Sequence, residues 1–581
     1  MNGKIVSSGI LQRIAVLPFV NEGADEMDYL TDGLTDLCRN TLIHSPHYFS
    51  ITKESVDRLQ QWPGLELAGI HEKLNVELIL SAALSGGTGL KFKIQLHQRE
   101  TTRPLWEKSI DLSQQEIFQL GHLVLQALGE VLNISDRRPG PSMPSSRRAY
   151  RAFLLGGHYL NRWERAYVEL ALQQFRLVFE LEPDFVPACL GIAKATIFLV
   201  GRGYQPARQE YPAVAKLLED MIRFRPDYGE LYIYRGIIQF FYELDWAAAY
   251  ENIERGLESF SEASEAYATL SFFWYGMREY DRAIDALQIA LEYNPLSVAL
   301  INMLGDIQLS ARRFDAAKKT FNQILDLQAG DKVAIENLMY MAALDGNTRQ
   351  VRHYLKELTK GGKASVLDFP RLAYVYPYLM MKKEVAALEQ ELFPPSGHLD
   401  PVYYGRRAGY FASQKKWEQV MRAIEQVFDA RYGLLYVLTD PQFEPVRSWK
   451  RYRQLEQQIK LPQLDQSGHE LQLQSDLKES LLVDPNRILY LQADEKYVRI
   501  VMQSYFRVQT KILRISLSRL LKQLPSADFY RCHRSYAINR ALPLVWQGNA
   551  HGLWLHSQKF GFRVPVSRTK IMEVKRMFGQ H

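Results

Sequence analysis

Between Phe529 and Arg540 the chain reads FYRCHRSYAINR, which sets Arg531, His533, Arg534 and Arg540 among aromatic and apolar residues. A guanidinium offers N–H donors in a planar fork and accepts nothing, so the chemistry available is recognition of anions or of base edges. No serine, cysteine or carboxylate stands in triad order around His533, which leaves a catalytic role without support. Two other stretches offer the same chemistry. ADEKYVR contributes Lys496 and Tyr497, and FRVPVSRTK contributes Arg563, Ser567, Arg568 and Lys570. From Arg487 to His581 there are 17 Lys and Arg against 4 Asp and Glu, whereas the rest of the chain has 54 against 61. A basic module therefore closes a mildly acidic chain, a pattern that calls for a polyanionic partner.

The remaining reactive residues do not assemble into a reaction. Cys38, Cys189 and Cys532 lie far apart, without the spacing of a zinc site or a disulfide framework. Gly86, Gly87 and Gly89 lack a following Lys-Ser/Thr and read as a hairpin turn, not a phosphate loop. Asp32 and Asp36 share a helical face and read as solvated; His44 and His47 flank Pro46 as surface or helix-end residues. The expectation is a protein that is not an enzyme and needs no metal or cofactor. No stretch of about 20 apolar residues spans a membrane, and no cleavable signal opens the chain, so a cytoplasmic location is expected.

The basic residues need strands to hold them. NRILYLQADEKYVRIVMQ reads as two short strands around ADEK, and SYFRVQTKILRIS alternates. Leu517, Leu520, Leu521 and Leu524 recur at helical spacing. FYRCHRSYAINR reads as one strand packed by Tyr530, Cys532 and Tyr536. A hairpin around Gly548 to Gly552, a last strand FGFRVPVS and a terminal helix with Ile571, Val574 and Phe578 on one face complete the module. The preceding QLDQSGHELQLQSDLKES reads as a polar linker.

The strings ILYLQADEKYVRI, LSRLLKQLPSADFYRCHRSYAIN and FRVPVSRTKIMEVKRMF resemble the LytTR-type DNA-binding domain of bacterial transcription regulators. The resemblance implies a mainly-β fold that reads double-stranded DNA through loops, with dimers on tandem repeats. Carried over position by position, it implies base contacts from Tyr497, Arg534 and Arg568; an arginine fork matches O6 and N7 of guanine. Lys496, His533, Ser535, Arg563, Ser567 and Lys570 are expected on the DNA backbone, where they position without reading sequence. Arg531 can do the same or pair with an acidic neighbour, and Asn539 fits a structural turn better than base reading.

Ahead of this module the period changes. SEAYATLSFFWYGMREYDRAIDALQIALEYNP has Tyr267, Leu270, Trp274, Ala283, Leu287 and Ala290 where a tetratricopeptide (TPR) repeat needs them. Leu304, Gly305, Ala317 and Phe321 recur 34 residues after their counterparts. Loop marks at Pro183, Pro226, Ser261 and Pro295 are spaced 43, 35 and 34 apart, so an early repeat carries an insertion around GRGYQPARQEYP. Such an array is a solenoid whose concave face takes a peptide or protein partner, or which serves as a spacer. Its aromatic residues Trp246, Phe272, Phe273 and Trp274 read as packing between helices. LTDPQFEPVRSWKRYRQLEQQIKL resembles the segment that closes such arrays, with no binding site assigned.

The first stretch alternates strands and helices. Its IAVLPF, YLTDGLTDLC, LNVELILSAAL and PLWEKSIDL resemble the TolB-like domain that precedes TPR repeats in bacterial regulators. The expected architecture is multidomain: an α/β module over 1–135, an α-helical TPR solenoid over 148–460 and a mainly-β LytTR domain over 480–581. The expected function is sequence-specific transcription regulation, with input through the first two parts. The alternative is a TPR scaffold with weak or vestigial DNA binding.

Overall fold

In a computed structural model the described residues are 12–23, 27–43, 48–85, 90–99, 101, 103–112, 117–132, 143–162, 164–259, 264–360, 362, 365–366, 369–394, 401–462, 471–476, 480–503, 508–525, 528–549, 552–557 and 561–578. The chain divides into two units, Met1–Pro462 and Gln463–His581.

The apolar run near the start forms β1 (Gln12–Val16), which is buried on both faces and pairs in parallel with β3 (Tyr48–Ser50) and β4 (Leu78–Ser85). The sheet continues antiparallel through β5 (Leu90–Gln98) and β6 (Trp106–Leu112), while β2 (Val20–Asn21) adds to the end of β4. Helix α1 (Asp28–Ile43) presents Leu30, Leu34, Leu37 and Leu42 to one sheet face, together with α4 (Leu120–Leu132). The other face is covered by α2 (Lys53–Asp57) and α3 (Leu67–Leu74), through Val56, Ile70 and Leu74. Asn75 ends α3 in the left-handed conformation, at φ 50°. The glycine turn at 86–89 and the pair His44 and His47 lie outside the described residues.

Antiparallel helix pairs follow: α5 (Arg147–Leu160) with α6 (Arg165–Leu181), α7 (Val186–Gly201) with α8 (Ala207–Phe224), and α9 (Gly229–Ile238) with α10 (Trp246–Ser259). Next come α11 (Ser264–Gly276) with α12 (Tyr280–Tyr293), α13 (Val298–Ser310) with α14 (Phe314–Leu327), and α15 (Lys332–Leu344) with α16 (Thr348–Leu358). The GRGYQPARQEYP insertion lies at the α7–α8 turn. Small residues set the approach within a pair: a Cβ on Gly305 would lie 2.4 Å from the Phe321 ring. Ala283 and Ala290, from the 34-residue pattern, are fully buried on α12. Phe273 and Trp274 are buried among Trp246, Phe240 and Tyr250, so these aromatic residues pack helix on helix.

Two further pairs, α17 (Leu372–Tyr378) with α18 (Lys382–Leu392) and α19 (Tyr404–Ser413) with α20 (Trp417–Ala430), end the array. The closing segment then runs back across its middle as α21 (Leu434–Thr439), α22 (Glu444–Arg447) and α23 (Lys450–Glu456). Val437, Phe443, Val446 and Tyr452 are fully buried. The Tyr340 hydroxyl donates to Asp440 at 2.6 Å, and Arg278 Nε donates to the Leu438 carbonyl at 3.0 Å. Lys460 forms a parallel β-bridge with Asp245, its amide 2.9 Å from the Leu244 carbonyl.

The α/β module docks on the solenoid at two places. Asp32 meets His158 at 2.7 Å, and Asp36 accepts from Asn161 at 2.9 Å. These carboxylates are therefore docking groups, a departure from the solvated face read in the sequence. The helical period reveals a shared face, but not the helix more than a hundred residues away that covers it. Further along, Phe49 stacks on Tyr293 with ring centroids 3.9 Å apart. Asn294 donates to Glu54 at 2.8 Å, the Leu296 amide donates to Ser55 Oγ at 2.9 Å, and the Thr52 amide donates to the Tyr293 carbonyl at 3.0 Å. No described helix is long and apolar enough to cross a membrane.

The second unit opens on a hairpin, β7 (Leu471–Gln474) and β8 (Ser480–Val483). This replaces part of the linker read from the sequence. ELQLQ is polar overall, but it alternates, and Leu473 enters the core fully buried. A five-stranded sheet follows in the order β11–β10–β9–β13–β12, comprising β9 (Ile488–Asp494), β10 (Tyr497–Gln503), β11 (Val508–Leu513), β12 (Phe529–His533) and β13 (Tyr536–Asn539). Leu517 and Leu520 of α24 (Leu517–Gln523) join the core on one face with Leu473 and Leu491. On the other, Cys532 and Ile538 join a core with a three-stranded sheet and the last helix. These are β14 (Val545–Asn549), β15 (Gly552–Ser557), β16 (Phe562–Val566) and α25 (Ile571–Met577).

Candidate nucleic-acid interface

The basic stretch is not one strand. β12 and β13 form a hairpin with His533 opposite Tyr536, so Arg534 and Ser535 are the two central residues of a tight turn. Arg534 is not a turn marker, and Ser535 is only a weak one. Neither has the positive φ that two-residue hairpin turns favour, and the register shifts between Tyr530 and His533. Arg531 holds this turn in place. Its Nη2 donates to the Arg534 carbonyl at 2.6 Å, and its Nη1 donates to Ser518 Oγ at 2.9 Å. Sequence reasoning left Arg531 open between two roles; the spacing of three residues to Arg534 was the available signal.

Two backbone bonds bring other basic stretches to this turn. The Ala493 amide donates to the Ser535 carbonyl at 2.7 Å, which sets the β9–β10 turn, with Lys496 and Tyr497, beside it. Glu495 takes φ 53° in that turn. The Ser567 amide donates to the Cys532 carbonyl at 2.9 Å, which fixes the chain just ahead of Arg568 against the end of β12. Tyr497 at the start of β10, Arg534 in the β12–β13 turn and Arg568 at the head of the 3₁₀ turn before α25 are thus gathered at one end of the unit, all exposed. Arg534 and Arg568 have no ion pair among the described residues.

The other candidates are less uniform. Lys496 is exposed beside Tyr497. His533 is partly buried, and burial followed by Arg534 holds its imidazole below the usual histidine value. The Ser535 amide donates to His533 Nδ1 at 3.2 Å, which assigns the ring proton to Nε2 and leaves that nitrogen as a donor. Lys570 lies over the Tyr530 ring at 5.3 Å and pairs with Glu573 at 2.9 Å. The Ser567 amide donates to the Cys532 carbonyl, which leaves its hydroxyl available, and the α-helix starts only at Ile571, after a 3₁₀ turn over Arg568–Lys570. Arg563 stands apart on β16, with its guanidinium over the Trp554 ring at 4.4 Å. Its position is about 13 Å along an extended strand from Ser567.

Two neighbours are structural. Asn539 is 2 % exposed and clamps the hairpin, donating to the Ile488 carbonyl and accepting from the Ala541 amide, both at 3.0 Å. Cys532 is fully buried, and burial pushes its thiol up to about 12, which removes it as a nucleophile. No described cluster of three His, Cys, Asp or Glu is arranged to hold a metal ion.

Residues 478–579 match the family model of the LytTr DNA-binding domain, and residues 275–339 match a tetratricopeptide repeat. The transcriptional regulatory protein YpdB of Escherichia coli K12 is 32% identical over 104 residues, which is 17% of this chain and 40% of that protein. An uncharacterized response regulatory protein of Vibrio cholerae is 30% identical over 92 residues, 16% of this chain and 34% of that one. The chain thus spans less than half the length of either relative. Among solved structures, the LytTr DNA-binding domain of a Bacillus cereus methyl-accepting/DNA response regulator is 24% identical with a TM-score of 0.16, covering 19% of this chain and 97% of that one. MamA is 19% identical with a TM-score of 0.24, covering 26% and 89%. The chain carries a LytTr DNA-binding domain at its C-terminal end, behind an array of tetratricopeptide repeats.

Proposed function

We propose that this protein is a sequence-specific transcription regulator that reads promoter DNA with the loops at one end of its second unit. The carrying observation is the convergence of three segments, each with an exposed candidate reader: Tyr497, Arg534 and Arg568. Arginine forks on two of them suit guanine edges in the major groove. Tyr497 offers one hydrogen bond or a stacking face and discriminates less. Lys496, His533, Ser535, Ser567 and Lys570 surround these readers and fit phosphate contacts that set register. Arg563, held against Trp554 farther along β16, suits a phosphate at the flank. Dimers on tandem repeats follow from the resemblance.

The first unit serves as the input half. Its partner surface is narrower than an open solenoid offers, because the chain's own closing segment and α/β module cover part of it. The deciding experiment is genome-wide mapping of bound sites with the full chain, followed by titration of a recovered site. A shared motif that is lost on Arg534→Ala supports the reading. Uniform, motif-free binding would favour a scaffold instead.

A further inference from the structure

A cavity of about 1100 Å³ lies in the first unit between the α/β module and the early helix pairs. The module supplies part of α1 and residues 50–58, and the solenoid supplies residues of α5, α6, α7, α9 and α11 and the start of α13. Where α5, α6 and α7 meet, the wall is apolar, formed by Leu154, Leu160, Phe175 and Leu190. The module wall is charged.

The charges do not balance. Four cations line the cavity, Arg39, Lys53, Arg58 and Lys194, against five carboxylates, Asp36, Glu54, Asp57, Glu230 and Glu265. Asp36 has Arg39 at 3.4 Å, Lys53 at 3.6 Å and Asn161 at 2.9 Å. Arg58 meets Glu54 at 3.8 Å, and Lys194 meets Glu265 at 3.4 Å. Asp57 has neither a hydrogen bond nor an ion pair among the described residues; Arg39 and Lys53 reach it only at longer range. Burial raises its carboxyl above the usual range; the charges of Arg39 and Lys53 oppose that, and those of Asp36 and Asp32 add to it. On the same wall, Ser50 Oγ, Thr52 Oγ1, Arg39 Nε and Arg58 Nε have no hydrogen-bond partner among the described residues.

We propose that this cavity binds a small organic monocation, its apolar body against Leu154, Phe175 and Leu190 and its protonated nitrogen at Asp57. An anion would meet the surplus carboxylate, and a neutral molecule would leave Asp57 unpaired in a partly buried place. A metal ion does not fit, since the described acidic residues form no ligand cluster. The volume suits a ligand of drug size or somewhat larger. Because the two walls belong to different parts of the chain, occupancy stabilises their docked arrangement. The proposal rests on reading the first unit as the input half, but not on the DNA contacts.

The test is calorimetric titration of the full chain with tryptamine, tryptophol and indole-3-propionate, which share a ring and differ in head charge. Tryptamine is expected to bind roughly tenfold tighter than the other two, as a charge-assisted contact requires. Asp57→Asn should erase that preference while leaving the circular dichroism spectrum unchanged. Leu190→Phe should weaken all three by narrowing the apolar wall. Equal binding of the three, preference for the propionate, no binding of any, or an Asp57→Asn variant that still prefers tryptamine would each overturn the site. DNA titration of the same variants separates this outcome from the other: unchanged DNA binding leaves the reader intact even if the cavity proposal fails.

Discussion

At the scale of residues, the basic side chains differ in what already engages them. Arg534 and Arg568 have no ion pair among the described residues, which suits the base-edge role proposed for them. Replacing either with alanine should cost about 1–3 kcal/mol at a cognate site and relax preference at one position, read by competition titration. Lys570→Ala should weaken all sequences alike and flatten the salt dependence. Arg531 acts through the turn: Arg531→Ala should remove much of what Arg534 contributes, and a double-mutant cycle should show them to be non-additive. His533 supplies a pH signature. Its imidazole is held low and is neutral at pH 7 in the free protein, whereas a phosphate beside it favours the protonated form. DNA affinity should therefore rise as pH falls from about 7 to 5.5, and His533→Gln should lose that rise.

At the scale of elements, the periodic parts were legible and the turn chemistry was not. The 34-residue recurrence marks helix pairs because each needs a small residue facing a large one, as Gly305 faces Phe321. Strands β9, β10 and β16 announce themselves by alternation. The β12–β13 turn is concealed because Arg534 is no turn marker and Ser535 is a weak one, and the turn is held by a side chain from the strand before it. The β7–β8 hairpin is hidden for a related reason: only Leu473 of its first strand is fully buried, so composition reads as linker. Leu473→Ala should destabilise the second unit by about 2–4 kcal/mol, seen as a lower denaturation midpoint of that unit. The candidate readers came from motif resemblance, but their gathering at one end depends on pairings between distant strands, which no local pattern encodes.

At the scale of the whole molecule, the α/β module and the solenoid belong to one compact unit. Their second contact is largely polar, and its central residue is Asn294, which serves both Glu54 and Ser55. Asn294→Ala should cost about 1–3 kcal/mol, because it strands the buried Ser55 hydroxyl. Faster amide exchange at Thr52, whose N–H is bonded across the contact, would report it.

The return of the closing segment has a consequence for how such a chain can evolve. Repeat arrays ordinarily gain and lose units freely, since each touches only its neighbours. Here Lys460 must reach Leu244, Asp440 must reach Tyr340, and the Asp429 carbonyl must reach Arg208. Duplicating or deleting a helix pair between Tyr340 and Asp429 would break all three of these contacts at once, and a change between Leu244 and Tyr340 would break the first and the third. The number of repeats is thus fixed by closure, and variation is confined to turns such as the one between α7 and α8.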